Sequence, residues 1–254
     1  MAGATPAPAE RAEGPRRCVV FGGSGTVGRA LVAELARAGA RVGFTYRQGR
    51  EIAEDLLRAF PGTTALQVDL GDPRGAAEAA DALARRLGGV DAFAHCAVRA
   101  SSVEPPAFDA IEDVTFEGFA DVFAVNVTSA FAAARGLLPH FDGGGNIVLF
   151  GSVDGIKPVP SPVPYAASKA ALSGLTLSLA KSLGKRGIRV NLVAPGVLEA
   201  GASRMLPDDL RAEYLKHCGL RRLGKVEEVA ALAAWLALEN TYVTGQTVMV
   251  DGGL

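Results

Sequence analysis

The sequence predicts an α/β fold, a single doubly wound domain built on a mostly parallel seven-stranded sheet with helices on both faces. Three observations predict it. Short apolar runs of β type alternate with longer runs of helical period along nearly the whole chain, as strands joined by crossover helices require. A glycine-rich turn separates the first strand from the first helix. The 254 residues suffice for one large core, and no repeat or linker divides them. Residues 1–16, rich in alanine, proline and charge, read as a disordered tail, and residues 17–254 as the domain.

Taken in order, Cys18–Phe21 is a short buried strand and Thr26–Ala38 a helix ended by Gly39. Val42–Tyr46 is the second strand, Glu51–Ala59 a helix closed by Pro61-Gly62, and Ala65–Leu70 the third strand. Helix Pro73–Leu87 leads to strand Asp91–Cys96, and helix Phe116–Leu138 to strand Asn146–Phe150. Helix Tyr165–Lys185, strand Arg189–Val193, helix Val226–Leu238 and strand Thr247–Val250 complete the alternation. The insertion Glu199–Lys216 is the one place for a mobile flap.

Composition narrows the function classes. The 26 basic and 27 acidic residues leave a net charge of −1 and no basic stripe, which argues against nucleic acid as a partner. No apolar run approaches the length of a membrane span; even the unbroken Val229–Leu238 is too short. The tail lacks an apolar signal core, and Cys18, Cys96 and Cys218 are far apart with no metal-ligand spacing. Reduced thiols, a cytoplasmic location and no metal are therefore expected.

The turn after the first strand reads Gly22-Gly23-Ser24-Gly25-Thr26-Val27-Gly28, a G-x-G-x-x-G between strand and helix. Glycines let the backbone pass close to a pyrophosphate, and the helix N-terminus offers free N–H groups at the positive end of its dipole. An acid at the end of the second strand would bind the ribose hydroxyls of NAD. This chain has Tyr46-Arg47 there, and a guanidinium pairs with a 2′-phosphate that a carboxylate would repel. The cofactor expected is NADPH. Asp69, at the end of the third strand, can accept from the adenine amino group or cap the following helix.

Tyr165 and Lys169 lie four apart at the start of a helix, on one face. A cation about 4 Å from a phenol, at an effective dielectric of about 20, favours the phenolate by roughly 4 kcal/mol, which would bring the phenol toward neutrality. Such a phenol is a general acid–base. Ser152 follows the fifth strand, where a hydroxyl can hydrogen-bond a substrate carbonyl. Asn126, inside an otherwise apolar helix, needs partners if buried, which suggests a polar network reaching the lysine.

From Cys18 to Leu254 the sequence closely resembles the short-chain dehydrogenase/reductase family. The resemblance rests on Gly22-x-x-Gly25-x-x-Gly28, Asn126, Ser152, Tyr165-x-x-x-Lys169, Asn191, Pro195-Gly196 and Thr244-Gly245-Gln246 with Asp251-Gly252-Gly253. Arg222-Leu223-Gly224 and Glu227-Glu228-Val229-Ala230 make it most similar to the 3-oxoacyl-acyl-carrier-protein reductase group. The resemblance implies a Rossmann-like domain and cofactor contacts also at Leu70, Ala97, Pro195, Gly196 and Leu198. It implies hydride transfer from NADPH, a carbonyl polarised by Ser152, a proton from Tyr165, and a Lys169 that holds the nicotinamide ribose and lowers the tyrosine pKa. Asn126 would anchor a water that replenishes the proton. The implied reaction is reduction of a β-ketoacyl thioester, bound to an acyl carrier protein, by a homotetramer or homodimer. A reductase of a free small-molecule ketone, or an inactive NADP(H)-binding partner or sensor, are the alternatives.

Several positions depart from the family pattern. Phe21 replaces the usual threonine before the first glycine, Thr26 stands where classical members have glycine, and His95-Cys96-Ala97-Val98 replaces Asn-Asn-Ala-Gly. Ala200 replaces a threonine expected at the nicotinamide amide. Pro158, Pro160, Pro162 and Pro164 stiffen the loop before Tyr165, and with Ala200, Met205, Leu206 and Leu215 they predict an apolar substrate wall. Lys181, Lys185 and Arg186 are candidates to meet an acidic carrier, although cations near a helix C-terminus are favoured by its dipole in any case.

Overall fold

The computed structural model describes residues 14–100, 111–201 and 206–254. Most of the expected tail and Met205 lie outside these described residues. The strands are β1 (Arg17–Phe21), β2 (Arg41–Tyr46), β3 (Thr64–Gln67), β4 (Val90–His95), β5 (Phe141–Phe150), β6 (Ile188–Pro195) and β7 (Thr247–Val250). Between them run α1 (Thr26–Arg37), α2 (Arg50–Ala59), α3 (Pro73–Leu87), α4 (Phe116–Phe123), α5 (Ser129–Leu137), α6 (Val163–Leu183), α7 (Asp208–His217) and α8 (Val226–Leu238). The sheet order is β3-β2-β1-β4-β5-β6-β7, and every pairing is parallel. The chain winds outward from β1 to β3 and then in the opposite sense from β4 to β7, so the switch point falls between β1 and β4. Ligands of such sheets bind outside the carboxyl ends of the strands at that crevice.

Continuous apolar strands are what a sheet covered on both faces needs. In β1 successive residues serve opposite cores. Val19 and Phe21 pack toward α3, α5 and α6, whereas Cys18 and Val20 pack toward α1, α2 and α8. Phe21, fully buried, meets Phe93 edge-to-face at 5.4 Å, a burial worth about 1.5–3 kcal/mol. Its ring therefore fills the core and not the crevice. All three cysteines are free thiols.

Several elements differ from the sequence reading, β5 among them, which begins at Phe141 rather than Asn146. The third strand stops at Gln67, so Asp69 and Leu70 belong to the following turn. There Asp72, not Asp69, caps α3, accepting from the Arg74 N–H at 2.9 Å. The helix expected over Phe116–Leu138 contains a π-helical turn at Ala124–Thr128 between α4 and α5. With it, the run Phe116–His140 is long and apolar enough to cross a membrane, contrary to the sequence reading. Half of its most apolar window is buried within this fold, as a core helix would be. In the expected flap, α7 is tied down by the Tyr214 hydroxyl, which donates to the Asp251 carbonyl at 2.8 Å.

Candidate active site

The glycine turn rises from β1 into the crevice. Gly22 takes φ +78°, the left-handed region that favours glycine. Thr45 on β2 holds the turn: its Oγ1 accepts from the Gly22 N–H at 3.0 Å and its carbonyl from the Gly23 N–H at 2.8 Å. A Cβ on Gly22 would lie 2.6 Å from the Ala97 nitrogen, and one on Gly28 would lie 2.1 Å from the Gly22 carbonyl oxygen. These two glycines let β1, α1 and the end of β4 close on one another. Helix α1 then starts at Thr26 with Gly25 as its N-cap, no side chain capping it and no acid in its first turn. Gly25, Thr26 and Val27 line the cleft, so the helix offers its free N–H groups and positive end to an anion there.

The other expected cofactor residues form an outer arc. Arg47 is exposed just past β2, and its carbonyl accepts from Gln67 Nε2 at 2.9 Å. Its guanidinium is in no ion pair among the described residues. The same loop reaches the glycine turn, since a Cβ on Gly49 would lie 3.0 Å from Ser24 Oγ. Ser24 thus lies beside the loop that follows Tyr46 and Arg47, and none of the three is among the residues lining the cleft itself. Asp69 is exposed, with Oδ1 accepting from the Gly71 N–H at 2.9 Å, and the Leu70 side chain is buried in the core. Pro195, which ends β6, with Gly196 and Leu198 just after it, closes the cleft from the far side.

Ser152, Tyr165 and Lys169 converge on this cleft of about 230 Å³. Ser152 is delivered by the end of β5. Tyr165 and Lys169 come from α6, which starts at Val163, two residues earlier than expected, with proline in its first turn. The Lys169 ammonium donates to the Phe150 carbonyl at 2.7 Å and lies 5.6 Å from the centre of the Tyr165 ring. Burial lowers its pKa to about 8.

The expected acidification of Tyr165 does not hold. Burial raises the phenol pKa, the Asp154 carboxylate raises it further, and a hydrogen bond with Ser152 opposes them only in part. Desolvation of a phenolate outweighs a cation that sits over the ring and is itself weakened by burial. Tyr165 is therefore a firmly protonated phenol, with a proton to give.

Asn126 sits in the π turn, fully buried. Its Oδ1 accepts from the Arg99 N–H at 2.8 Å, and its Nδ2 donates to the Arg99 carbonyl at 3.0 Å and to Ser168 Oγ at 2.9 Å. The predicted network thus reaches the neighbour of Lys169 and the segment after β4, with no direct bond to the lysine. His95 stands beside Ser129 Oγ at 2.6 Å, and that hydroxyl donates to the Val125 carbonyl in the same turn. Burial lowers the His95 pKa to about 3, so the ring is neutral and structural. Val98 lines the cleft without filling it.

Sequence reasoning missed Thr45, Ser168 and Asp154. Thr45 was legible as a polar residue inside an apolar strand. Asp154 is the one acid between Val153 and Pro164, two residues past Ser152, and it faces the cleft.

Residues 23–254 match the family model described as enoyl-(acyl carrier protein) reductase. The carbonyl reductase family member 4 of Danio rerio is 35% identical over 245 residues, covering 94% of this chain and 98% of that protein. The chain belongs to the short-chain dehydrogenase/reductase family. It is an oxidoreductase of that family. The 3beta-hydroxysteroid dehydrogenase 1 of Eggerthella lenta is 34% identical, covering 93% of this chain and 92% of that one. A short chain dehydrogenase of Burkholderia cenocepacia J2315, solved in complex with NADP, superposes with a TM-score of 0.85 at 32% identity, over 94% of this chain and 97% of that one. The relatives' names span carbonyl and steroid substrates, so membership fixes the chemistry more narrowly than the substrate.

Proposed function

We propose that this short-chain dehydrogenase/reductase is an NADP(H)-dependent carbonyl reductase that converts a ketone to a secondary alcohol. The convergence of Ser152, Tyr165 and Lys169 on one cleft, beside the uncapped N-terminus of α1, carries the reading. NADP(H), when bound, supplies the hydride. The N–H groups at Thr26 and Val27 would hold its pyrophosphate, with Gly25 leaving room for its approach, and Arg47 with Ser24 its 2′-phosphate. Leu70 and Ala97 would add contacts along the floor, Asp69 one at the adenine, and Pro195, Gly196 and Leu198 contacts at the nicotinamide. Ser152 would hydrogen-bond the carbonyl oxygen and hold it against the developing charge. Tyr165 would give that oxygen its proton, which the raised pKa keeps in place at neutral pH. Lys169 would hold the nicotinamide ribose and balance the phenolate left behind. Asn126 acts behind the cleft, fixing Arg99 and the first turns of α6, with a proton-supplying water as its expected further role.

Of the substrate classes the sequence admits, a free ketone fits best. Lys181, the nearest of the cations suggested for a carrier protein, lies on α6 sixteen positions past Tyr165. At 1.5 Å per residue it is about 24 Å along the axis, away from the cleft. Farther on, Arg186 donates to the Leu138 carbonyl. A carrier-bound β-ketoacyl thioester remains the second reading, supported by the apolar wall of Val98, Pro160, Pro162 and Leu206 and by the name of the matching family model.

NADPH consumption measured with a panel of free ketones and an acetoacetyl thioester separates the readings. Faster turnover of free ketones is expected, and faster turnover of the thioester reverses the assignment. Tight NADPH binding without turnover of any carbonyl would support an inactive partner or sensor instead.

A further inference from the structure

The hydroxyl proton of Ser152 is already committed. Its Oγ donates to Asp154 Oδ2, and the Asp154 N–H points back to the same Oγ at 3.3 Å. Ser152 has one proton to donate, and in this arrangement it is shared between Asp154 and Tyr165, so none is turned to the cleft, whereas a ketone oxygen needs a donor. The carboxylate itself has no ion-pair partner among the described residues. Lys157, three positions on, pairs with Asp251 at 2.8 Å, and Arg99 with Asp121 at 3.0 Å. Lys169 spends its nearest contact on the Phe150 carbonyl. The cleft that Asp154 faces is lined in large part by apolar groups, among them Val98, Val153, Pro160, Pro162 and Leu206. A half-buried carboxylate that pairs directly with no cation, and feels Lys169 only across a longer distance, is an attractor for one.

We propose that Asp154 is the specificity-determining residue of this cleft, selecting ketones that carry a protonated amine close to the carbonyl. The inference rests on the ketone-reductase reading above. When the substrate ammonium donates to Asp154, the carboxylate no longer needs the Ser152 proton, and that hydroxyl can turn to the carbonyl oxygen. Recognition of the amine and polarisation of the ketone are then one event. With hydrogen bonds of about 2.8 Å from adjacent protein groups, the substrate oxygen and nitrogen lie roughly 3–5 Å apart, the span of an α- or β-amino ketone. The redox balance is that of the parent reaction: a hydride reaches the carbonyl carbon, the Tyr165 proton reaches its oxygen, and the ammonium keeps its protons.

The test is a matched series of β-aminopropiophenone, β-hydroxypropiophenone and butyrophenone, assayed with NADPH near neutral pH. The wild-type protein should favour the amino ketone over butyrophenone by about tenfold or more in kcat/KM, mainly through KM. Asp154→Asn should bring that ratio close to one, while Asp154→Glu, which keeps the charge, should retain part of it. NADPH fluorescence titration of each variant confirms that it is folded. Equal kcat/KM for the three ketones in the wild type, a preference for the hydroxy ketone alone, or a preference that survives Asp154→Asn would each overturn the proposal. No turnover of any of the three, nor of the wider ketone panel, would instead overturn the reductase reading beneath it.

Discussion

At the scale of the residue, the protein keeps its proton donor protonated and brings the pKa of its cation down toward neutrality. Tyr165 is raised by burial and by Asp154, while Lys169 is lowered by burial to about 8. The sign for the lysine is that of a cation disfavoured by desolvation: charged below about 8, neutral above it. If its charge balances the phenolate formed as the proton leaves, kcat/KM for ketone reduction stays level at neutral pH and falls as pH rises through about 8. A pH–rate profile checks this, and a rate that keeps rising across that range would remove Lys169 from the role. The sequence showed which residues meet, because a spacing of four on a helix fixes a shared face. It could not show the direction of the Tyr165 shift. That depends on how deeply α6 is packed and on an acid two positions after Ser152, and a pairwise Coulomb estimate contains neither.

At the scale of the element, the π turn between α4 and α5 is the least predictable feature and the one closest to function. A single wide turn re-aims Asn126 so that three hydrogen bonds go to Arg99 and Ser168. The apolar periodicity over Phe116–Leu138 was legible as a helix, and its one buried amide marked where regularity fails. Asn126→Ala leaves the Arg99 and Ser168 groups without these partners, at a cost of about 1–3 kcal/mol. Urea denaturation should show a correspondingly lower midpoint, and an unchanged midpoint would mean that these bonds do not hold the segment. Strand β3 shows the opposite limit: its apolar composition ran on to Leu70, but the pairing with β2 ends at Gln67. Composition alone does not say where a ladder stops.

At the scale of the whole molecule, the alternation of short apolar runs and helices was enough to anticipate seven strands and two covering layers. The all-parallel order then puts the carboxyl ends of β1, β4, β5 and β6 around one cleft. Association is a separate matter. Phe116, Phe131 and Leu177 are exposed on α4, α5 and α6, and Trp235 and Met249 on α8 and β7. We propose that further copies of the chain cover them, as the family resemblance implies. Light scattering on the eluting protein should give a multiple of the 26.1 kDa chain mass, and Leu177→Asp should lower it. A wild-type protein that elutes at the mass of one chain at micromolar concentration would contradict this.

Proton transfer from Tyr165 to a ketone oxygen is the central claim, and Tyr165→Phe tests it most directly. The variant keeps the ring and its packing while removing only the hydroxyl. NADPH affinity should stay within a few-fold of the parent, and turnover of the best ketone should drop by about 10²–10⁴. A Tyr165→Phe protein that retains most of its turnover would contradict the account.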